Sequence, residues 1–315
     1  MAQSIKRLDL NSTENFTVDH DLSFIDNNSK CSRYITESET SIFFGDACRA
    51  LNILHINCRS LKHNFNNIKN LLNIVSQRLT ALAVTETWLS SYNADMYNLP
   101  GYNFVSNCRC DKPGGGVGIY VNDCLEYTIR HELCKMTPYI ESVFIEISRS
   151  NQQNVIVGCI YRPPNTDPNL FNVDVLTMLR LFGNEKNRLM LIAGDFNLDL
   201  LRYDSHAPTS DFLHNMMSYS LFPSIRSPTR ITDQSATLID NIFINFTNGD
   251  FDSAVIYNDI SDHLPIGLLL NEKCTRNKKI NSVKVRVFTQ EPTNNFLGHL
   301  SSTSWDEVYN ILQFS

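Results

Sequence analysis

The chain has 315 residues, 42% of them hydrophobic, 10% aromatic and 19% charged, a composition that buries a large core and excludes a disordered or fibrous chain. Its 27 Lys and Arg against 33 Asp and Glu give a formal net charge of -6, which disfavours gripping nucleic acid through bulk positive charge. No run approaches the roughly 20 apolar residues a bilayer crossing needs, and the opening MAQSIKRLDLNSTENF has no apolar segment after its charges. The chain therefore reads as soluble and intracellular.

Residues 1–48 are rich in Ser, Thr, Asn and Asp with short apolar islands such as Ile42-Phe43-Phe44, and this predicts a polar, flexible leader. From residue 51 the pattern changes to short apolar runs. LNILHIN (51–57), ALAVTE (81–86), VGIYV (117–121), SVFIEI (142–147), NVIVGCIY (154–161), LMLIAGD (189–195), TLIDNIFI (237–244) and PIGLLL (265–270) have the length and β-branched content of strands.

Helical periodicities lie between them. Leu61, Phe65, Ile68, Leu71, Leu72, Val75 and Leu79 recur at three and four residues, as do Phe171, Val175, Leu179 and Phe182. A third stripe, Phe212, Leu213, Met216, Met217 and Leu221, has Thr209 or Ser210 as its expected N-cap. Strands interleaved with helices predict a mixed α/β domain over residues 49–271. Beyond it, residues 272–315 read as a basic linker with Lys273, Arg276, Lys278, Lys279, Lys284 and Arg286, followed by a short truncated tail.

The nine cysteines are expected to be reduced structural thiols. Cys124 and Cys159 fall in apolar runs, and Cys108-Arg109-Cys110 lacks the spacing of a zinc site. Pro113-Gly114-Gly115-Gly116 precedes a strand without the Gly-Lys-Ser/Thr of a phosphate loop, so a tight turn is expected there. Trp88 is read as a packing aromatic at the rim of a site.

The informative feature is how the apolar runs end. Asn57 follows LNILHI, Glu86 follows ALAVT, Tyr161 follows VIVGCI, Asp195 and Asn197 follow LMLIAG, Asp240 follows ATLI, and Ser261-Asp262-His263 precedes PIGLLL. One polar residue at a strand end is usually a turn or a cap. A whole set predicts a crevice at one edge of a sheet, where binding groups are mounted on rigid backbone. Oxygen donors without thiolates point to Mg2+ or Mn2+ rather than zinc, and a His beside an Asp suits a group that stays protonated opposite a developing oxyanion.

LNILHINCRSL, AVTETWL, YRPP, LIAGDFNLD, TLIDNIF and SDHLPI together resemble the endonuclease/exonuclease/phosphatase superfamily, in particular the AP-endonuclease-like domain of non-LTR retrotransposons. The resemblance implies a four-layer α/β sandwich of two packed mixed β-sheets flanked by helices. It also implies Mg2+-dependent phosphodiester hydrolysis on a DNA substrate by a monomer with access to the nucleus.

Residue by residue, the resemblance assigns Glu86 and Asn57 to the metal, and Asp262 to the metal or the leaving group. It assigns Asp195 to the attacking water, Asn197 to water and phosphate, His263 to the scissile phosphate with Asp240 orienting it, and Tyr161 to donation from its phenol. Arg162, Thr229 and Ser261 are assigned to the substrate. In some repair branches an acidic residue stands where Arg59 does here, so the resemblance suits nicking of undamaged DNA.

A family protein of this kind continues into a reverse transcriptase, and 315 residues do not hold both. The expected product is therefore an endonuclease without that domain. The alternatives are a lipid or inositol phosphoesterase of the same superfamily and an inactive remnant that binds DNA or protein.

Overall fold

Along Ala50–Asn57 (β2) the odd positions Ile53, His55 and Asn57 alternate with Leu54 and Ile56, so the strand carries one face for polar chemistry and one for packing. Leu54 and Ile56 join Leu82 and Val84 in a cluster with the buried stripe Leu61, Ile68, Leu71 and Val75 of Leu61–Val75 (α2). Asn57 turns the other way, toward a second sheet, where it meets Asp195.

A computed structural model describes residues 32–45, 50–75, 79–90, 92–110, 113–150, 152–182, 188–245, 250–271, 290–302 and 304. A seven-stranded sheet is ordered Arg33–Thr36 (β1), Asp250–Tyr257 (β14), Ile266–Asn271 (β15), β2, Ala81–Thr85 (β3), Val117–Asn122 (β5) and Tyr102–Asn107 (β4). A six-stranded sheet is ordered Phe222–Pro223 (β10), Asp240–Ile244 (β13), Leu189–Asp195 (β9), Val155–Tyr161 (β8), Glu141–Ile147 (β7) and Tyr127–Ile129 (β6). Arg230–Ile231 (β11) and Ala236–Thr237 (β12) form a separate ribbon.

Helices complete the outer layers. Glu37–Gly45 (α1) sets Phe43 and Phe44 into the cluster beneath α2. Pro168–Leu181 (α3) and Ala207–Ser218 (α4) cover the other sheet through contacts among Phe171, Phe196, Phe212 and Phe243. The start of α3 follows sequence logic, because Asp167 accepts a hydrogen bond from the Asn169 N–H and Pro168 occupies the first turn, where its missing N–H costs nothing. The expected four-layer α/β sandwich is thus the fold.

Several sequence expectations change. Residues 33–45, assigned by composition to the leader, are part of the fold: β1 pairs in parallel with β14, and Ile35, Phe43 and Phe44 are buried. Phe43 and Phe44 of the apolar island pack into the core with the α2 stripe, whereas Ile42 is exposed. In α4 the helix begins at Ala207 with His206 as N-cap, and Thr209 is instead buried with its hydroxyl on the His206 ring. Cys159 is buried as expected, but Cys124 is exposed in a turn. The tail contains a helix, Gln290–Ser302 (α5), while the expected linker at 272–289 and residues 1–31 lie outside the described residues. Among the described residues no helix is long and apolar enough to cross a membrane.

Candidate active site

The six-stranded sheet presents its chemistry through register. Glu141 pairs with Tyr161, Tyr161 with Asp195, and Asp195 with Asp240. These four residues therefore form one row across β7, β8, β9 and β13 at one edge, and side chains in register share a face.

At the centre of the row Asp195 is fully buried. Its Oδ1 accepts the Asn197 backbone N–H at 3.0 Å, and its Oδ2 accepts the side-chain amides of Asn57 at 2.9 Å and Asn197 at 3.2 Å. Burial, then the nearby Asp240 carboxylate, pushes its pKa well above the usual carboxylate range.

Asp240 takes the opposite direction. Burial opposes its charge, but His263, joined by His55 and the Thr229 hydroxyl, holds the carboxyl low. His263 Nδ1 lies 2.9 Å from Asp240 Oδ2, and Thr229 Oγ1 donates to the same oxygen at 2.8 Å. His263 in turn is raised to about 9: burial works against the imidazolium, but Asp240 and then Asp195 overcome it. With Nδ1 fixed on Asp240, Nε2 is the ring nitrogen left for a ligand. Behind this pair sits His55, which sequence reasoning missed. Its Nε2 meets Thr85 Oγ1 and its Nδ1 lies 3.9 Å from Asp240 Oδ1, a buried oxygen without a hydrogen-bond partner. Burial first, against attraction to Asp240, lowers the His55 pKa to about 4, so it is neutral.

The seven-stranded sheet supplies Asn57 and Glu86. Asn57 ends β2, and its Nδ2 donates to Glu86 Oε1 and Asp195 Oδ2, both at 2.9 Å. Glu86, one residue past β3, has φ +51, and Arg59, Ser60 and Trp88 around it are also left-handed. Such backbone persists only where neighbours over-determine it, and they do so from two sides. The Ser60 and Leu61 N–H groups donate to the Glu86 and Thr87 carbonyls, while the Thr87 and Trp88 N–H groups donate to the Gly116 and Gly115 carbonyls.

The glycine loop is itself braced by Glu141. Its Oε2 accepts the Gly116 N–H at 2.5 Å, and its Oε1 accepts Arg109 Nε. A Cβ at Gly116 would overlap the Thr87 hydroxyl and one at Gly115 the Arg109 guanidinium, and both glycines have positive φ. The expected tight turn is therefore also the rest on which the Glu86 segment lies.

Other expected site residues have different partners. Thr229 and Ser261 are turned inward rather than toward a substrate: Ser261 Oγ donates to the Asn57 carbonyl and accepts the His263 N–H. Arg162 is buried, with guanidinium donors on the Asn197 and Thr166 carbonyls, and acts as a brace. Asp262 lies on the rim, with Oδ1 on Arg59 at 2.8 Å and Oδ2 on Arg230 at 2.7 Å, so two guanidiniums stand where a metal was expected. Tyr161 is buried in the row, and desolvation, then Glu86, pushes its phenol up, so it stays protonated.

The ligating atoms of Asp195, Asp240 and His263 lie within 4.8 Å of one another, with His263 Nδ1 2.9 Å from Asp240 Oδ2 and 3.9 Å from Asp195 Oδ2. Glu86, from the other sheet, stands outside this trio. Its half-buried carboxylate meets the N–H donors of Asn57 and Trp88, and no Lys or Arg pairs with it among the described residues. Glu86 and the Asn57 amide offer the hard oxygens that suit Mg2+ or Mn2+.

A search of curated protein sequences finds no match. The model of the Endonuclease/Exonuclease/phosphatase family matches residues 54–263, more than half of the chain, and the chain belongs to that family. Solved structures with the same fold include the endonuclease domain of TRAS1, a telomere-specific non-LTR retrotransposon, at 15% identity and TM-score 0.52, covering 70% of this chain and 98% of that one. The AP endonuclease LMAP from Leishmania major is 14% identical with TM-score 0.58, covering 81% and 96%. The 3′ phosphatase NExo from Neisseria is 15% identical with TM-score 0.53, covering 71% and 100%.

Proposed function

Proceeding from membership of this family, we propose that the chain is a divalent-metal-dependent DNA endonuclease of the non-LTR retrotransposon type, hydrolysing one phosphodiester to nick its target. The observation that carries this reading is the Asn57 amide, which joins Glu86 from one sheet to Asp195 from the other a short step from the His263–Asp240 pair. The retrotransposon branch is supported by TETWL and YRPP in the sequence and by the likeness to the TRAS1 domain.

Glu86 and Asn57 would hold Mg2+ or Mn2+, which supplies Lewis-acid charge at phosphate oxygens. The protein's own groups do the rest. Asp195 in its ionised form takes a proton from the attacking water, and burial with Asp240 makes that form a stronger base than an ordinary carboxylate. Asn197, fixed by Asp195 and the Arg162 carbonyl, orients that water. His263, kept charged by Asp240, faces the phosphate through Nε2, and Tyr161 donates from a phenol that does not ionise. In-line attack then breaks the P–O3′ bond, and the departing 3′-oxygen takes a proton from solvent, leaving a 3′-hydroxyl and a 5′-phosphate.

Supercoiled plasmid is the test. Nicking is expected with Mg2+ and not with chelator, and His263→Ala or Glu86→Gln is expected to lower the rate about 10²–10³-fold. Variants that nick as fast as the parent, or a folded parent that releases phosphate from phospholipid and leaves plasmid intact, would reject it.

A further inference from the structure

A cleft of about 640 Å3 opens beside Glu86, lined by Arg59, His63, Asn67, Trp88, Asp259 and Asp262 among others, a size typical of small-molecule clefts, about 300–1,000 Å3. We infer that it is a nucleotide subsite, with Trp88 as the platform on which one unpaired base of the substrate strand stacks. The inference rests on the nucleic-acid reading above and names what that reading leaves open, a base-binding place next to the metal side.

Three observations carry it. First, Trp88 is 46% exposed although Thr87 and Leu89 on either side are buried, so the indole is displayed rather than packed. Second, it is displayed rigidly. Its backbone is at φ +53, its N–H is fixed on the Gly115 carbonyl at 2.8 Å, and its indole Nε1 donates to Glu86 Oε2 at 3.2 Å. A bulky residue in the left-handed region is strained, and here two hydrogen bonds hold it there. Third, the remaining walls are mostly polar side chains, with Ile260 the apolar one. Arg59 and His63 offer donors, Asn67 offers both donors and an acceptor, and Asp259 accepts. A ligand for such a cleft needs one flat aromatic face and a rim of hydrogen-bond donors and acceptors, which is the description of a nucleobase. Stacking requires no particular base, because every base presents a π-face.

Placement adds the functional sense. Trp88 stands two residues from Glu86 and hydrogen-bonds its carboxylate, so a base seated on the indole would also seat its neighbouring phosphate near the metal side. Arg59, with an exposed guanidinium held by Asp262, is the cation at the cleft for that backbone.

The sequence permits a direct test, because Trp88 and Trp305 are the chain's two tryptophans. In a Trp305→Phe, His263→Gln protein Trp88 is the single tryptophan and cutting is suppressed. Titration with an oligonucleotide duplex carrying one unpaired base, in Mg2+, is expected to quench its fluorescence saturably, while inorganic phosphate leaves it unchanged. In the native background Trp88→Ala is expected to weaken oligonucleotide binding about tenfold, whereas Trp88→Phe, which keeps an aromatic face, retains most of it. Unquenched Trp88 at oligonucleotide concentrations that saturate binding by anisotropy would overturn the subsite and leave the nuclease reading standing. A Trp88→Ala protein binding as tightly as the parent would do the same. A parent that neither binds nor nicks DNA would overturn both.

Discussion

The two sheets reach the same crevice by different means. The six-stranded sheet delivers Glu141, Tyr161, Asp195 and Asp240 as one row of register partners, so ladder hydrogen bonds that run the length of four strands fix their spacing. The seven-stranded sheet delivers Glu86 and Trp88 from a segment past its strand end, in left-handed backbone held by a few cross-links. Placement by register is distributed over many bonds and tolerates the loss of any one. Placement by strain depends on the braces. Glu141 belongs to both, since it ends the row and also accepts the Gly116 N–H beneath the Glu86 segment.

The largest effect should therefore come from Glu141. Glu141→Gln removes the charge that pairs Arg109 inside the protein and weakens the acceptor under the glycine loop. Breaking a buried pair on one side costs about 3–5 kcal/mol, and a clear drop in the urea midpoint is expected. The comparison adds a second expectation: nicking per folded molecule should fall most at low Mg2+ and recover at high Mg2+, because the metal side has lost its aim. Lowered stability with an unmoved Mg2+ midpoint would mean that the glycine loop does not set Glu86.

Much of this site could be read in the sequence, and what could not has physical reasons. Asn57, Glu86, Tyr161, Asp195, Asn197, Asp240 and His263 announce themselves because each interrupts or bounds an apolar run that a core would otherwise continue. Register does not announce itself, so the row, and with it Glu141, stayed hidden: a Glu before SVFIEI looks like any strand-start charge. Thr229 and Ser261 are legible as site candidates, but a hydroxyl in a polar loop does not tell its partner, and only the folded chain shows them on Asp240 and His263. His55 was masked by an alternation that reads as ordinary strand. At the amino-terminal end β1 spans Arg33–Thr36 and pairs with a strand far along the chain, a contact whose loop-closure cost leaves no local trace. The polar composition around it outweighed Phe43 and Phe44.

An intermediate effect separates the two halves by pH. In metal-free protein His263 is raised from 6.5 to about 9, because burial is outweighed by Asp240 together with Asp195 and Asp262. Its contribution to stability is then fully present below pH 6.5 and is lost as pH rises through about 9. Asp195, raised by burial and Asp240, pushes the same way: the folded state keeps a proton that the unfolded state has given up, so stability falls as pH climbs above the ordinary carboxylate range. His55, lowered to about 4, works the other way below pH 6.5, so urea unfolding at steps from pH 6.5 upward is expected to show a decline that levels off above about pH 9. His263→Gln should flatten the upper part of that decline, whereas Glu86→Gln should leave it nearly unchanged. An equal flattening by both would show that the two halves titrate as one site.

The smallest effect should come from Thr229. Its hydroxyl donates to Asp240 Oδ2 and accepts the Asp240 N–H, while its backbone N–H and carbonyl tie β12 and Leu264 to the same point. Thr229→Val keeps the shape and the backbone ties and removes only the hydroxyl. A hydrogen bond to a charged group is worth about 1.5–3 kcal/mol, so a modest loss of stability is expected. Because β13 still pairs with β9 along Asp240–Ile244, the carboxylate should stay within reach of His263. If register does most of the placing, kcat should fall several-fold with KM unchanged. A loss as large as that of His263→Ala would show that Asp240 is aimed by its side-chain partner and not by its strand, and the contrast between the two sheets would then not hold at this residue.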